Sequence, residues 1–218
     1  MFRYTQTDHG PMLEGSSGER LKSLLVEYES LLHELGGPEN TGMRPGVPRE
    51  ITQLALAQRG LKPVEEILVW FEWHDGIQRG ATRPLGDFPP MVLASLAESL
   101  DRYDEARVLL EHAYEDEMDY SFVAWGAGEG WLRLENEGMS VAVDCTGAPD
   151  VPPRVRRTTP DFDYPGTEGW NRATSLCTPV ARWIESARDG AFTWDPDIEM
   201  WRIDESLFKS DLTHSRLG

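Results

Sequence analysis

Leucines recur at helical spacing near the start of the chain, and the residues after them fix where that helix stops. Leu21, Leu24, Leu25, Tyr28, Leu31, Leu32 and Leu35 fall at i, i+3, i+4, i+7 intervals, one apolar face of a helix over residues 19–35. Gly36-Gly37-Pro38 ends it, because glycine supplies a left-handed cap and proline cannot continue the hydrogen-bond ladder. Residues 1–18, with several Gly, Ser and Thr and no sustained period, read as a loose N-terminal extension.

Further helices are expected along the chain. Residues 48–61 can form a helix with Pro48 in its first turn and Gly60 at its end. Val64, Ile67, Leu68 and Phe71 mark a third helix, stopped by His74-Asp75-Gly76. Beyond a proline-containing loop, Leu93, Leu96, Ala97, Leu100 and Tyr103 begin a fourth apolar face, resumed at Ala106, Leu109, Leu110, Ala113 and Tyr114. After Tyr120 the character changes. Residues 131–134 and 139–143 flank Glu135-Asn136-Glu137-Gly138 and predict a β-hairpin, and residues 154–157 could add an edge strand. A last helix is expected over 174–188, with Leu176, Val180, Trp183, Ile184 and Ala187 on its apolar face and Gly190 past its end.

Runs of helices followed by runs of strands indicate α+β architecture rather than alternating βαβ units. The expectation is one domain: N-terminal helices, then a short, mainly antiparallel sheet, then a closing C-terminal helix. Its span is 19–195, with a tail over 196–218 that packs at least partly on it, since Trp201 falls there. At 218 residues the chain can bury one sizeable core.

Charge narrows the class of partner. The chain carries 38 Asp and Glu against 21 Lys and Arg, a formal net charge of −17. A surface of that sign repels nucleic-acid phosphates and anionic lipid, and it attracts basic proteins. No apolar run approaches the ~20 residues of a membrane helix, and the N-terminal stretch lacks a signal-peptide pattern, so cytoplasmic residence is expected. Two cysteines, Cys145 and Cys177, make no disulfide framework and read as packed hydrophobes.

Enzyme signatures are missing. There is no HExxH, no GxxxxGK[ST] loop and no GxSxG elbow, and Gly126-Ala127-Gly128-Glu129-Gly130 lacks the spacing and strand–loop–helix context of a dinucleotide loop. His74-Asp75 could belong to a metal-dependent hydrolase only with ligands from elsewhere; as a helix end it needs none. The sequence therefore predicts a non-enzyme without cofactor or metal.

One charged stretch stands out. Residues 98–120 hold nine acids against Arg102 and Arg107, and Glu111, Glu115 and Asp119 would stack on one helix face at i, i+4, i+8. Such a run is either a solvated face or a docking surface for a basic partner. In the second case Glu111, Glu115, Asp116, Glu117 and Asp119 supply the charge, and Tyr114 and Tyr120 the aromatic anchors.

The element order and its punctuation resemble the SUKH superfamily, which includes fungal Knr-type cell-wall-synthesis regulators and many bacterial toxin-immunity proteins. The resemblance runs through the Leu-rich helix; Pro48-Arg49-Glu50-Ile51; Gly60-Leu61-Lys62-Pro63 leading to Val64-Glu65-Glu66-Ile67-Leu68-Val69-Trp70-Phe71; Trp125-Gly126; Val141-Ala142-Val143-Asp144; and Ala173-Thr174-Ser175-Leu176. It departs from the family in the extra residue between Leu61 and Pro63 and in the extended helical region over 91–114. The resemblance implies a non-enzymatic binding domain, either an immunity protein that neutralises a cognate basic toxin, such as a nuclease, or a regulatory scaffold for signalling or cell-wall-synthesis proteins.

Overall fold

The leucine-patterned segment is α1 (Gly18–Glu34), and it begins and ends as its sequence dictates. The Ser17 hydroxyl accepts from the Arg20 amide, and Gly36, at φ +89°, lets the Gly37 amide reach back to the Leu32 carbonyl at 3.0 Å. The computed structural model describes residues 2–38, 42–78, 89–115, 130–135, 140–158 and 172–208. Among these residues the chain forms five helices and an α+β fold. Helices α2 (Arg49–Ala57), α3 (Glu65–Trp73), α4 (Leu96–Glu115) and α5 (Cys177–Arg188) complete the helical set.

The strands are β1 (Tyr4–Thr7), β2 (Gly10–Leu13), β3 (Met43–Pro45), β4 (His74–Ile77), β5 (Trp131–Arg133), β6 (Ser140–Asp144), β7 (Arg154–Thr158), β8 (Arg172–Thr174), β9 (Phe192–Asp195) and β10 (Met200–Ile203). Six of them make one sheet in the order β1-β2-β8-β7-β6-β5, antiparallel throughout except where β2 runs parallel to β8. One sheet face carries Leu132, Val143, Val155 and Ala173, all buried. They belong to a single apolar core with the inner faces of α1, α3 and α5. Tyr28, Trp70 and Trp183 bring those three helices together, with ring centroids 5.9 Å apart for Tyr28–Trp183 and 6.4 Å for Trp70–Trp183.

Several expectations change in the structure. The N-terminal extension is not loose over its length: β1 and β2 form a hairpin within the main sheet. Pro11 leaves the β1–β2 ladder intact, because it faces Gln6 at a pair that exchanges no hydrogen bonds. His74-Asp75-Gly76 does not merely stop α3 but turns directly into β4, paired with β3. The fourth apolar pattern is one continuous helix that starts at Leu96, after a non-helical 91–95. β7 is an interior strand, hydrogen-bonded to β6 and β8, rather than an edge. Residues 172–174, the last of them assigned to the closing helix by sequence pattern, pair as β8 before α5 begins. In the tail, β10 pairs back on β9 to form a second hairpin, and Trp201 joins the core. Residues 116–129 and 159–171, including the aromatic segment and glycine loop, lie outside the described residues.

Candidate partner-binding surface

The acidic stretch begins on α4, whose N-terminus is fixed by three side chains. Ser95 and Glu98 form a reciprocal capping box, the Ser95 amide donating to Glu98 Oε2 at 2.8 Å and the Glu98 amide to Ser95 Oγ at 3.2 Å. Asp75, on β4, accepts from the Leu96 amide at 2.7 Å. Arg44 reaches Glu98 at 3.6 Å and donates to the Ile77 carbonyl at 3.1 Å, tying β3 to the same corner.

Leu96, Ser99, Leu100 and Tyr103 point α4 into the core. On its outer side Asp101, Glu105 and Glu111 are exposed, and Val108 among them is 50% exposed. Asp104 is held by Arg59 at 2.9 Å, which pins the end of α2 to the middle of α4. Glu111 lies 3.8 Å from Arg107 one turn earlier, and both side chains are largely in water. Among the described residues Asp101 and Glu105 face no cation, so the helix presents uncompensated negative charge around a solvated aliphatic side chain.

The residues singled out from sequence are thus only partly placed. Glu111 sits on this face. Tyr114 and Glu115 belong to the last turn of α4, where only the backbone is described. Asp116, Glu117, Asp119 and Tyr120 lie outside the described residues. Asp101, Glu105 and Val108 were legible as part of the acidic run, but helical phase was needed to show them sharing one outward stripe.

The sheet's outer face was not foreseen. Register aligns Arg133, Ala142, Arg156 and Arg172 in one row across β5, β6, β7 and β8, and Trp131, Asp144, Arg154 and Thr174 in the next. The Arg156 and Arg154 guanidinium groups lie 4.4 and 5.5 Å from the Trp131 ring centroid. Arg154 is also bound to Asp144 through Nε at 2.6 Å and through Nη2, and Asp144 is held below the ordinary carboxylate range by Thr146 and Arg154 against the cost of its burial. The signal was present: Arg154-Val155-Arg156 alternates with the strand period.

His74 and Asp75 have structural partners. His74 Nδ1 lies 3.0 Å from the Arg44 carbonyl and Nε2 3.5 Å from Glu29, whose acidity is increased by that imidazole and by the Trp73 indole. Asp75 caps α4. Among the described residues no group of three His, Cys, Asp or Glu side chains is arranged to hold a metal ion.

A second buried polar site joins α3 to α5. Glu66 is 2% exposed, and its carboxyl accepts from Ser175 Oγ at 2.6 Å and from the Leu176 amide at 2.5 Å, at the mouth of α5. Desolvation pushes its pKa up to about 7 against those two bonds. Ser175 adopts φ +71° to make this contact. Cys177 and Cys145 are both buried; burial raises the first thiol, and burial beside Asp144 pushes the second up to about 12. Neither fits an activated nucleophile.

No family model matches the chain, and a search of curated proteins finds no match either. No helix among the described residues is long and apolar enough to cross a membrane.

Proposed function

We propose that this chain is a non-enzymatic protein-binding domain acting in the cytoplasm, and that it captures a basic protein on the outer face of α4. The observation that carries this reading is the stripe of exposed, uncompensated Asp101 and Glu105 with Glu111 around the half-exposed Val108. An apolar contact ringed by like charges combines an anchor that loses water with a field that steers the encounter. The order of elements that resembles SUKH proteins supports a more specific role, neutralisation of a cognate toxin by direct binding. A basic nuclease suits the charge, since carboxylates can occupy the groove that would otherwise hold phosphates.

The test is affinity capture from the native cell's lysate at low and moderate salt, read by mass spectrometry and repeated with Asp101→Lys/Glu105→Lys. One stoichiometric basic protein, retained less well as salt rises and lost in the double variant, is the expected result. Rescue of cells from that protein's toxicity by co-production then identifies the immunity role. A broad set of substoichiometric partners would instead favour a regulatory scaffold, and retention unchanged in the double variant would remove α4 from the interface.

A further inference from the structure

The main sheet has two unlike edges. At β5, the Ala94 amide donates to the Leu134 carbonyl at 3.1 Å and Leu93 bridges Glu135, so the chain itself covers that side. At the opposite end β1 is the outermost strand among the described residues, and Thr5 and Gln6 are exposed. Proteins usually blunt such an edge with charges, proline or a bulge. Tyr4-Thr5-Gln6-Thr7 has none of these: no residue in it is charged, none is proline, and its register with β2 is unbroken.

The direction of its free backbone groups follows from the pairing. The Arg3 carbonyl accepts from the Glu14 amide at 3.0 Å, which makes Arg3, Thr5 and Thr7 the positions that bond inward to β2. The N–H and C=O of Tyr4 and Gln6 therefore point away from the sheet. The strand is held still in that pose: the Tyr4 hydroxyl donates to Glu185 at 3.3 Å, the Arg182 guanidinium lies 4.2 Å from its ring centroid, and the Phe2 amide donates to Glu185 at 3.3 Å. An edge ordered in advance loses little conformational entropy on pairing.

We infer that the edge of β1 is a self-association surface, on which a second copy of this chain pairs antiparallel through its own β1 and joins the two sheets across a twofold axis. Placing Tyr4 opposite Gln6 of the other copy satisfies the outward N–H and C=O of both residues and sets Thr5 across from its symmetry mate, a favourable pairing. Charge selects this orientation. Arg3 and Asp8 flank the strand, both are exposed, and neither is in an ion pair among the described residues. In this register Arg3 lies opposite Thr7 of the other copy, one residue from its Asp8, so opposite charges fall at the same ends of the paired strands, whereas parallel pairing would set like charges together. The inference stands apart from the proposed function, because β1 and α4 occupy different elements.

Sedimentation equilibrium at physiological ionic strength, from micromolar to millimolar protein, tests it; screening there confines the mutual repulsion of two −17 chains to about 8 Å. The average mass should climb toward twice that of the protomer. Gln6→Pro should restore the protomer mass with an unchanged circular dichroism spectrum, since the amide it removes is outside the β1–β2 ladder. Thr5→Lys, which sets two cations face to face, should weaken association about tenfold or more, and Arg3→Asp should weaken it until combined with Asp8→Arg. A protomer mass at every concentration, or a dimer that survives both Gln6→Pro and Thr5→Lys, overturns the inference.

Discussion

Glu66 and Glu111 are the same residue in opposite settings. Glu66 is almost fully buried, is bonded to a hydroxyl and an amide, and ties two helices together. Glu111 is 70% exposed and, among the described residues, has only a long contact to Arg107. A carboxyl taken out of water must be matched by donors placed for it, so it is tied to the fold. A carboxylate left in water costs the fold little and remains available to a partner.

The comparison is broken most sharply by removing each group. Glu66→Ala leaves the Ser175 hydroxyl and the Leu176 amide buried without their acceptor and opens a void, and chemical denaturation should show a loss of roughly 2–4 kcal/mol. The pH dependence comes next. The folded-state value is about 7 and the ordinary one 4.5, so the folded protein holds this proton more tightly than the unfolded chain. Its contribution is fully present below pH 4.5 and is lost as the pH rises through about 7. Thermal unfolding followed from pH 5 to 8 should show that decline, and Glu66→Gln should flatten it. Glu29, Glu65 and Asp144, whose pKa values are lowered, act in the opposite sense and lose their contribution under more acid conditions.

Smaller effects are expected at the helix end and the surface. Ser95→Ala removes one half of the capping box and should cost about 1 kcal/mol, read from the denaturation midpoint. Glu111→Gln should shift stability by no more than about 0.5 kcal/mol while weakening capture of the basic partner at low salt. A Glu111→Gln loss as large as that of Glu66→Ala would erase the distinction.

The sequence disclosed elements with a long, consistent period and missed those defined by tertiary pairing. α1 was readable because seven apolar residues share one face ahead of a Gly-Gly-Pro stop. The β5–β6 hairpin was readable from its central Asn and Gly. β1 and β2 were not, since Tyr-Thr-Gln-Thr and Gly-Pro-Met-Leu are too short to show a sustained apolar alternation and are strands because β8 completes them. β7 looked like an edge because prolines 152, 153 and 160 surround it; Arg154 and Arg156 lie on the sheet face away from the core, beside Trp131, while Val155 enters the core. On α4 the charges were visible, but the outward stripe depended on which side Leu96, Leu100 and Tyr103 bury.

The parallel contact between β2 and β8 also governs how the protein comes into being. Met12 pairs with Thr174, and the Leu13 amide donates to the Thr178 hydroxyl across 165 positions of sequence. Gly10 sits so close to β8 that a methyl group there would stand 2.4 Å from the Arg172 carbonyl oxygen. On a ribosome the β1–β2 hairpin is made well before β8 and has no strand to join until residues 172–174 have emerged. Helices α1 and α3 can meet during synthesis, but the sheet closes only once β8 is available, so the non-local β2–β8 pairing is a late step of folding.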